Sequence, residues 1–314
     1  MKRLAVKPEK PKALREGSRI ALFSTASPAE RTQVLAGVAE LERLGFAVKL
    51  PPERAPQGYF AGTHHERLQD FCHAVHDKNV DGLIATRGGY GSNYLVDERL
   101  STRLRGPKVL MGFSDFGAIQ TLMWQVRHWV SFYGPMAATG FNKGAGKPGG
   151  YDETAFLEAV GNTKKGWEVG LQGEALVEGE ARGRLVGGCL TLLQTALGTP
   201  WQLDARGNVL LLEDRGMKPY QVDRALRHMK QAGQFEDVAG FVLGDFSDCE
   251  PPMEGSPSVR EVCERILGAY KVPIVYGAPV GHTNRAILTL PLGVKVKLAA
   301  KGEGVLEFLE AAVV

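Results

Sequence analysis

The chain has 314 residues, 44% of them hydrophobic and 23% charged, with 39 glycines. That length favours two domains with a sizeable core in each, and the composition excludes a disordered chain. A net charge of +3 is too small to imply nucleic-acid binding, and no apolar run could cross a bilayer, so a soluble cytoplasmic protein without nucleic-acid or membrane partners is expected.

In chain order, residues 1–16 form a basic leader with Lys2, Arg3, Lys7, Lys10, Lys12 and Arg15. Its apolar triplet, Leu4-Ala5-Val6, is too short for a signal-peptide core. Arg19 to Ser24 reads as the first strand, ending in a small polar loop through Pro28. A helix carrying Val34, Val38, Leu41 and Leu44 stops at Gly45, and Phe46 to Leu50 supplies a second strand. This β-α-β opening implies a parallel sheet with helices on its faces, and it places any active site outside the strands' carboxyl ends.

A helix follows from about His64 to Asp77, then the strand Gly82 to Thr86 runs into Arg87-Gly-Gly-Tyr-Gly-Ser92. Glycines directly after a strand let backbone N–H groups approach a ligand, so Gly88 and Gly89 are candidates for an oxyanion or phosphate pocket; a plain tight turn fits them too. His64, His65, Cys72, His73 and His76 crowd the helix before them and raise the alternative of a zinc site. No partnering ligand pattern appears elsewhere, and neither metal nor cofactor is expected. The four cysteines, Cys72, Cys189, Cys249 and Cys263, lack C-x-x-C spacing and suit a reducing compartment.

The next strand, Val109 to Met111, enters a turn bracketed by Gly112 and Gly117, beyond which Ile119, Leu122, Met123 and Val126 recur at helical spacing. Ser114 stands at the apex. Its hydroxyl is held at the carboxyl edge of the sheet, where the N–H of Asp115 can face a developing oxyanion. The elbow pattern G-x-S-x-G is only half matched, so Ser114 is either a nucleophile or a serine capping a helix.

Residues 17–141 thus read as one domain, the glycine- and lysine-bearing stretch 142–180 as the connection, and 181–314 as a second domain. In the latter, Arg184 to Cys189 leads into a helix over Leu190 to Leu197. The strand Asn208 to Glu213 finishes on a carboxylate. A helix over Pro219 to Ala232, a strand over Val238 to Gly244, a helix over Val259 to Leu267 and a strand over Ile274 to Tyr276 follow. His282 lies in a Gly- and Pro-punctuated loop, a setting that suits a general base. Ile287 to Leu290, Val294 to Leu298 and Gly304 to Leu309 read as short antiparallel strands closing the second domain.

A serine hydroxyl needs a base within reach and an acid to orient that base. Ser114, Glu213 and His282 supply these types at the ends of apolar strands, although spacing does not bring them together. The rival, non-enzymatic reading is a two-domain binding protein whose Gly88-Gly89 loop holds a phosphate or carboxylate.

The motifs Arg87-Gly-Gly-Tyr-Gly-Ser92, Gly112-Phe-Ser-Asp115, Gly134-Pro-Met-Ala137, Gly198-Thr-Pro200, Leu212-Glu-Asp214, Pro219-Tyr-Gln-Val-Asp-Arg224 and Gly281-His282 resemble those of the LD-carboxypeptidase family. That family includes murein tetrapeptide carboxypeptidases and microcin C self-immunity peptidases, and the resemblance runs from about Gly17 to Leu298. It implies a serine peptidase with Ser114 as nucleophile, His282 as general base and Glu213 as orienting acid. The oxyanion donors would be the N–H groups of Asp115 and Gly89, with Gly88 near the substrate and Arg87 either pairing with a substrate carboxylate or acting structurally. The implied fold is α/β: an N-terminal Rossmann-like parallel-sheet domain with the serine, and a smaller C-terminal α/β domain with a barrel-like sheet bearing acid and base. The implied reaction releases a terminal D-alanine from the L-centre of a diamino acid in the murein tetrapeptide, a cell-wall recycling step; the alternative is cleavage of peptidyl- or aminoacyl-nucleotide amides. Members are usually homodimers acting on a small peptide. Two positions depart from the family pattern: Met217, where an acidic residue is frequent, and Cys189, where an Asn is.

Overall fold

The computed structural model describes residues 7–314 except 98, 99, 101, 102 and 105. Within it β1 (Arg19–Phe23), β2 (Ala47–Lys49), β3 (Gly82–Ala85), β4 (Val109–Gly112) and β5 (Ser131–Tyr133) are short. Strands β3, β4 and β5 are buried at every residue, so both faces need a cover. They form a parallel sheet in the order β5-β4-β3-β1-β2, with α1 (Arg31–Arg43), α2 (His64–His76) and α3 (Gly117–Arg127) as the helices that follow its strands. The order changes direction between β1 and β3, and ligands of such sheets sit beyond the carboxyl ends of the strands. The Arg87 loop leaves β3 at that edge and Ser114 leaves β4 beside it.

A short helix α4 (Glu153–Gly161) leads to the second sheet. Its strands are β6 (Trp167–Gly170), β7 (Glu174–Val177), β8 (Gly179–Cys189), β9 (Val209–Glu213), β10 (Gly240–Gly244) and β11 (Ile274–Ala278). After β12 (Leu290–Leu292), β13 (Lys295–Ala300) and β14 (Val305–Phe308) complete it. The order is β6-β14-β13-β8-β9-β10-β11-β7, with β8 to β11 parallel and the flanking pairs antiparallel. Helix α5 (Leu190–Thr195) follows β8, and α6 (Pro219–Gln231) and α7 (Val259–Leu267) link the parallel strands. Backbone N–H groups of Leu171, Gly173 and Ala175 donate to the carbonyls of Gly304, Glu303 and Gly302, so the β6–β7 connection lies against the β13–β14 turn.

Alternation along β9 decides which way its last residue faces. Leu210 and Leu212 join the core under α6 and α7, with Val222, Leu226 and Val262. Val209 and Leu211 join the core shared with the first sheet, and Glu213 follows on that side.

Three segments differ from the expectation. Residues 290–292 were expected in the second domain, but β12 pairs antiparallel with β5, placing Leu290 opposite Tyr133. The edge of a wholly buried strand has N–H and C=O groups that require a partner, and the apolar Leu-Pro-Leu triplet supplies one. The 142–180 stretch, read as a connection, contributes α4 and both terminal strands of the second sheet. The leader is tied down from Glu9 onward: the Glu9 N–H donates to the His128 carbonyl, Ala13 N–H to Val314, Val314 N–H to Pro11, and Leu14 N–H to Val160. Residues 1–6 of the leader lie outside the described residues. No helix among the described residues is long and apolar enough to cross a membrane, and all four cysteines are free thiols.

Leu14 is 4% exposed and packs on β3 beneath Gly82. Leu14→Ala should therefore cost about 2–4 kcal/mol and lower Tm by several degrees in a thermal melt. An unchanged Tm would mean that this segment is a loose tail.

Candidate active site

The turn that carries Ser114 begins where β4 ends. Phe113 is extended at φ −151°, and Ser114 then takes φ +61°, the left-handed region that a residue with a Cβ enters at a cost of roughly 1–2 kcal/mol. One 3₁₀ turn over Ser114–Phe116 carries the chain into α3. Ser114 caps no helix with its side chain; its hydroxyl faces His282 instead. Gly88, at the end of the neighbouring strand, lies against it so closely that a Cβ there would sit 2.8 Å from both Cβ and Oγ of Ser114.

The glycine loop is clamped from both sides. Asp115, 2% exposed, accepts the Ser92 N–H at 2.7 Å and the Gly91 N–H at 3.3 Å. The buried Arg67 guanidinium donates to the Gly91 carbonyl at 3.0 Å and to that of Thr25. Burial raises the Asp115 carboxyl above its ordinary value, against the hydrogen bonds from Ser92 and Gly91 and the charge of Arg67. Gly89 bends the loop at φ +113° beside Ser27, whose hydroxyl oxygen accepts the Tyr90 N–H at 3.1 Å. Arg87 is exposed and donates to the Pro28 carbonyl at 3.3 Å.

Glu213 and His282 come from the second sheet and the loop after β11. Glu213 is 0% exposed. Its Oε2 accepts both the backbone N–H and the Nδ1–H of His282 at 2.8 Å, and its Oε1 accepts the Tyr133 hydroxyl at 2.5 Å. With Nδ1 carrying the proton toward the carboxylate, Nε2 is left as acceptor, and it lies 3.0 Å from Ser114 Oγ. The His282 loop reaches this close because Gly281, at φ +63°, has no side chain; a Cβ would come within 2.5 Å of the Glu213 carboxyl carbon. From the far side the Ser247 hydroxyl donates to the His282 carbonyl at 2.9 Å, and Thr283 and Arg285 both bond Asp245. The Phe113 ring meets the imidazole edge-on, at 5.1 Å between centroids.

Burial alone would push the Glu213 carboxyl up; the charge of His282 and the hydrogen bonds from His282 and Tyr133 hold it below its ordinary value. For His282, burial pulls down, but the Glu213 carboxylate, with a smaller push from Asp214, leaves the imidazole above its ordinary value.

The structure thus brings Ser114, Glu213 and His282 into one hydrogen-bonded chain, with Gly88 and Asp115 against the serine. Arg87 makes no bond within this chain. The two departures share a neighbour: Cys189 Sγ lies 3.6 Å from Asp214, and Met217 Sδ lies 3.7 Å from the hydroxyl of Thr191, which itself donates to Asp214. The α2 histidines do not join the site. His65, Cys72, His73 and His76 line a separate open cavity, and among the described residues no group of three or more His, Cys, Asp or Glu could hold a metal ion. Sequence reasoning missed Tyr133, Arg67 and Ser247. Tyr133 left a signal, a hydroxyl-bearing residue at the end of an apolar strand; Arg67 left one only as a cation at the buried spacing of α2.

Residues 20–134 match the LD-carboxypeptidase N-terminal domain, and residues 182–298 match the LD-carboxypeptidase C-terminal domain. The chain is 33% identical to the probable murein peptide carboxypeptidase of Bacillus subtilis, over 92% of this chain and 91% of that protein. It is 30% identical to the murein tetrapeptide carboxypeptidase of Pseudomonas aeruginosa, over 85% of this chain and 90% of that protein. Its fold is similar to that of the microcin C7 self-immunity protein MccF, with a TM-score of 0.85 at 23% identity over 97% of this chain and 99% of that one. The chain is a peptidase of the LD-carboxypeptidase family.

Proposed function

We propose that this peptidase is a serine carboxypeptidase that removes the terminal D-alanine from the L-centre of the diamino acid in murein tetrapeptide. The observation that carries this reading is the relay from Ser114 Oγ to His282 Nε2 at 3.0 Å and from His282 Nδ1 to Glu213 at 2.8 Å. His282 takes the hydroxyl proton as Oγ attacks the amide carbonyl. The N–H groups of Gly89 and Asp115 hold the oxyanion, and each is worth roughly a hundredfold to a thousandfold in turnover. The imidazolium then protonates the departing amine of D-alanine, and water activated by the same imidazole hydrolyses the acyl-enzyme. Arg87, at the rim of the glycine loop, pairs with a substrate carboxylate. The names of the two murein-directed relatives, each at least 30% identical over most of the chain, support this substrate.

The second reading is cleavage of an aminoacyl-nucleotide amide, favoured by the likeness to MccF along nearly the whole of both chains. Murein tetrapeptide and an aminoacyl-sulfamoyl adenylate offered separately should distinguish the two by kcat/KM. Faster release of D-alanine supports the first reading, and preference for the adenylate overturns it. Ser114→Ala should lower kcat on the better substrate by about a millionfold, with the protein still folded by circular dichroism.

The base must be neutral to accept a proton, and Glu213 holds His282 above its ordinary value. The kcat/KM profile should therefore lose activity on the acid side through a limb above about pH 6.5, the unperturbed histidine value. A limb at or below that value contradicts the upward hold of Glu213 on His282.

A further inference from the structure

The end of β5 brings a fourth side chain to the relay. Tyr133 is fully buried, stands opposite Gly112 of β4, two residues before the serine, and packs against Phe113. Its ring is accommodated because position 188 is glycine: a Cβ there would lie 2.9 Å from Tyr133 Cε2. Its hydroxyl donates to Glu213 Oε1 at 2.5 Å. The bonds therefore run in one line: Tyr133 to Glu213, Glu213 to His282, and His282 to Ser114 Oγ.

Packing does not call for that hydroxyl. Phenylalanine would fill the same space, and an oxygen taken out of water at a fully buried position needs partners. The partner here belongs to the relay: it is the carboxylate oxygen that His282 does not use. The bond also crosses from the first sheet to the second, so it fixes acid and nucleophile relative to each other.

We propose that Tyr133 is a positioning residue that sets the orientation and charge of Glu213, and through it how tightly His282 holds a proton. This rests on the Ser-Glu-His reading. A donor on Oε1 draws negative charge from the carboxylate, which then attracts a proton on His282 less strongly. Without it the imidazole stays protonated to higher pH and fewer molecules carry a free base. The other groups facing this line of bonds are Asp214 and Arg215 toward His282 and the Cys189 thiol toward Tyr133. Burial keeps that thiol protonated, so it adds no charge.

The test is the titration of the His282 imidazole by NMR in the full-length protein without substrate, its signal identified by loss in His282→Gln. Wild type is compared with Tyr133→Phe and with 3-fluorotyrosine at position 133, whose more acidic phenol is the stronger donor. Tyr133→Phe should raise the His282 pKa by about half a unit or more, and the fluorinated residue should lower it. In parallel Tyr133→Phe should lower kcat about tenfold with KM within about twofold. A His282 pKa that is the same in all three proteins, or that moves the other way, overturns the proposal whatever the rate does. If Tyr133→Phe does not fold, the fluorinated protein, which keeps ring and hydroxyl, decides alone. The titration needs no turnover, so a wild type inactive on both substrates would overturn the proposed function and still leave the role of Tyr133 decided.

Discussion

A carboxylate with no solvent contact is the constraint around which the two sheets are arranged. Glu213 ends an apolar strand and turns, by the alternation of β9, toward the first sheet. An unpaired charge there would cost several kcal/mol, so the fold must bring donors to it. They arrive from two directions: the loop after β11 offers both the N–H and the ring of His282, and β5 offers Tyr133. Because β5 and β9 belong to different sheets, satisfying the carboxylate also sets how the two parts of the molecule meet. β12 reinforces this, since the chain leaves the His282 loop and pairs with β5 before returning to the second sheet.

The Ser114 side is organised differently. Ser114 sits in a strained backbone region, and such strain persists only where the surroundings determine it. Asp115 ties the start of α3 to the glycine loop, Arg67 holds that loop from the other face, and Gly88 leaves room for the serine. Loop and turn are thereby fixed before substrate arrives, which is the condition under which backbone N–H groups stabilise charge without reorganising.

The parallel strands and their helices were legible because burial on both faces leaves continuous apolar runs, and helix periodicity survives in α1, α3, α6 and α7. The turn at Ser114 and the ends of β9 and β11 were legible for the same reason: glycine and polar residues interrupt apolar strands. Segments whose partners lie far away in sequence were not. Leu290–Leu292 is as apolar as a strand of the second sheet, and only the open edge of β5 assigns it to the first. Lys7 to Glu16 looks like a charged leader because Lys7 and Lys12 face outward, while Lys10 pairs with Glu310 and Leu14 and the backbone do the packing. Arg67 is hidden for a related reason. A cation on the buried stripe of α2 contradicts the pattern, and its partners, the carbonyls of Thr25 and Gly91, have no sequence signature. Tyr133 reads as one more aromatic in an apolar strand until Glu213 is placed beside it.

The central claim is that the second sheet makes the Ser114 hydroxyl reactive by presenting His282, itself held by Glu213. The most direct measurement is labelling by a fluorophosphonate, with the modified residue located by peptide mass spectrometry in wild type, His282→Ala and Glu213→Gln. Modification of Ser114 in wild type, abolished without the imidazole and strongly slowed without the carboxylate, is the predicted result. Equal labelling of all three proteins, or labelling at a residue other than Ser114, would contradict it.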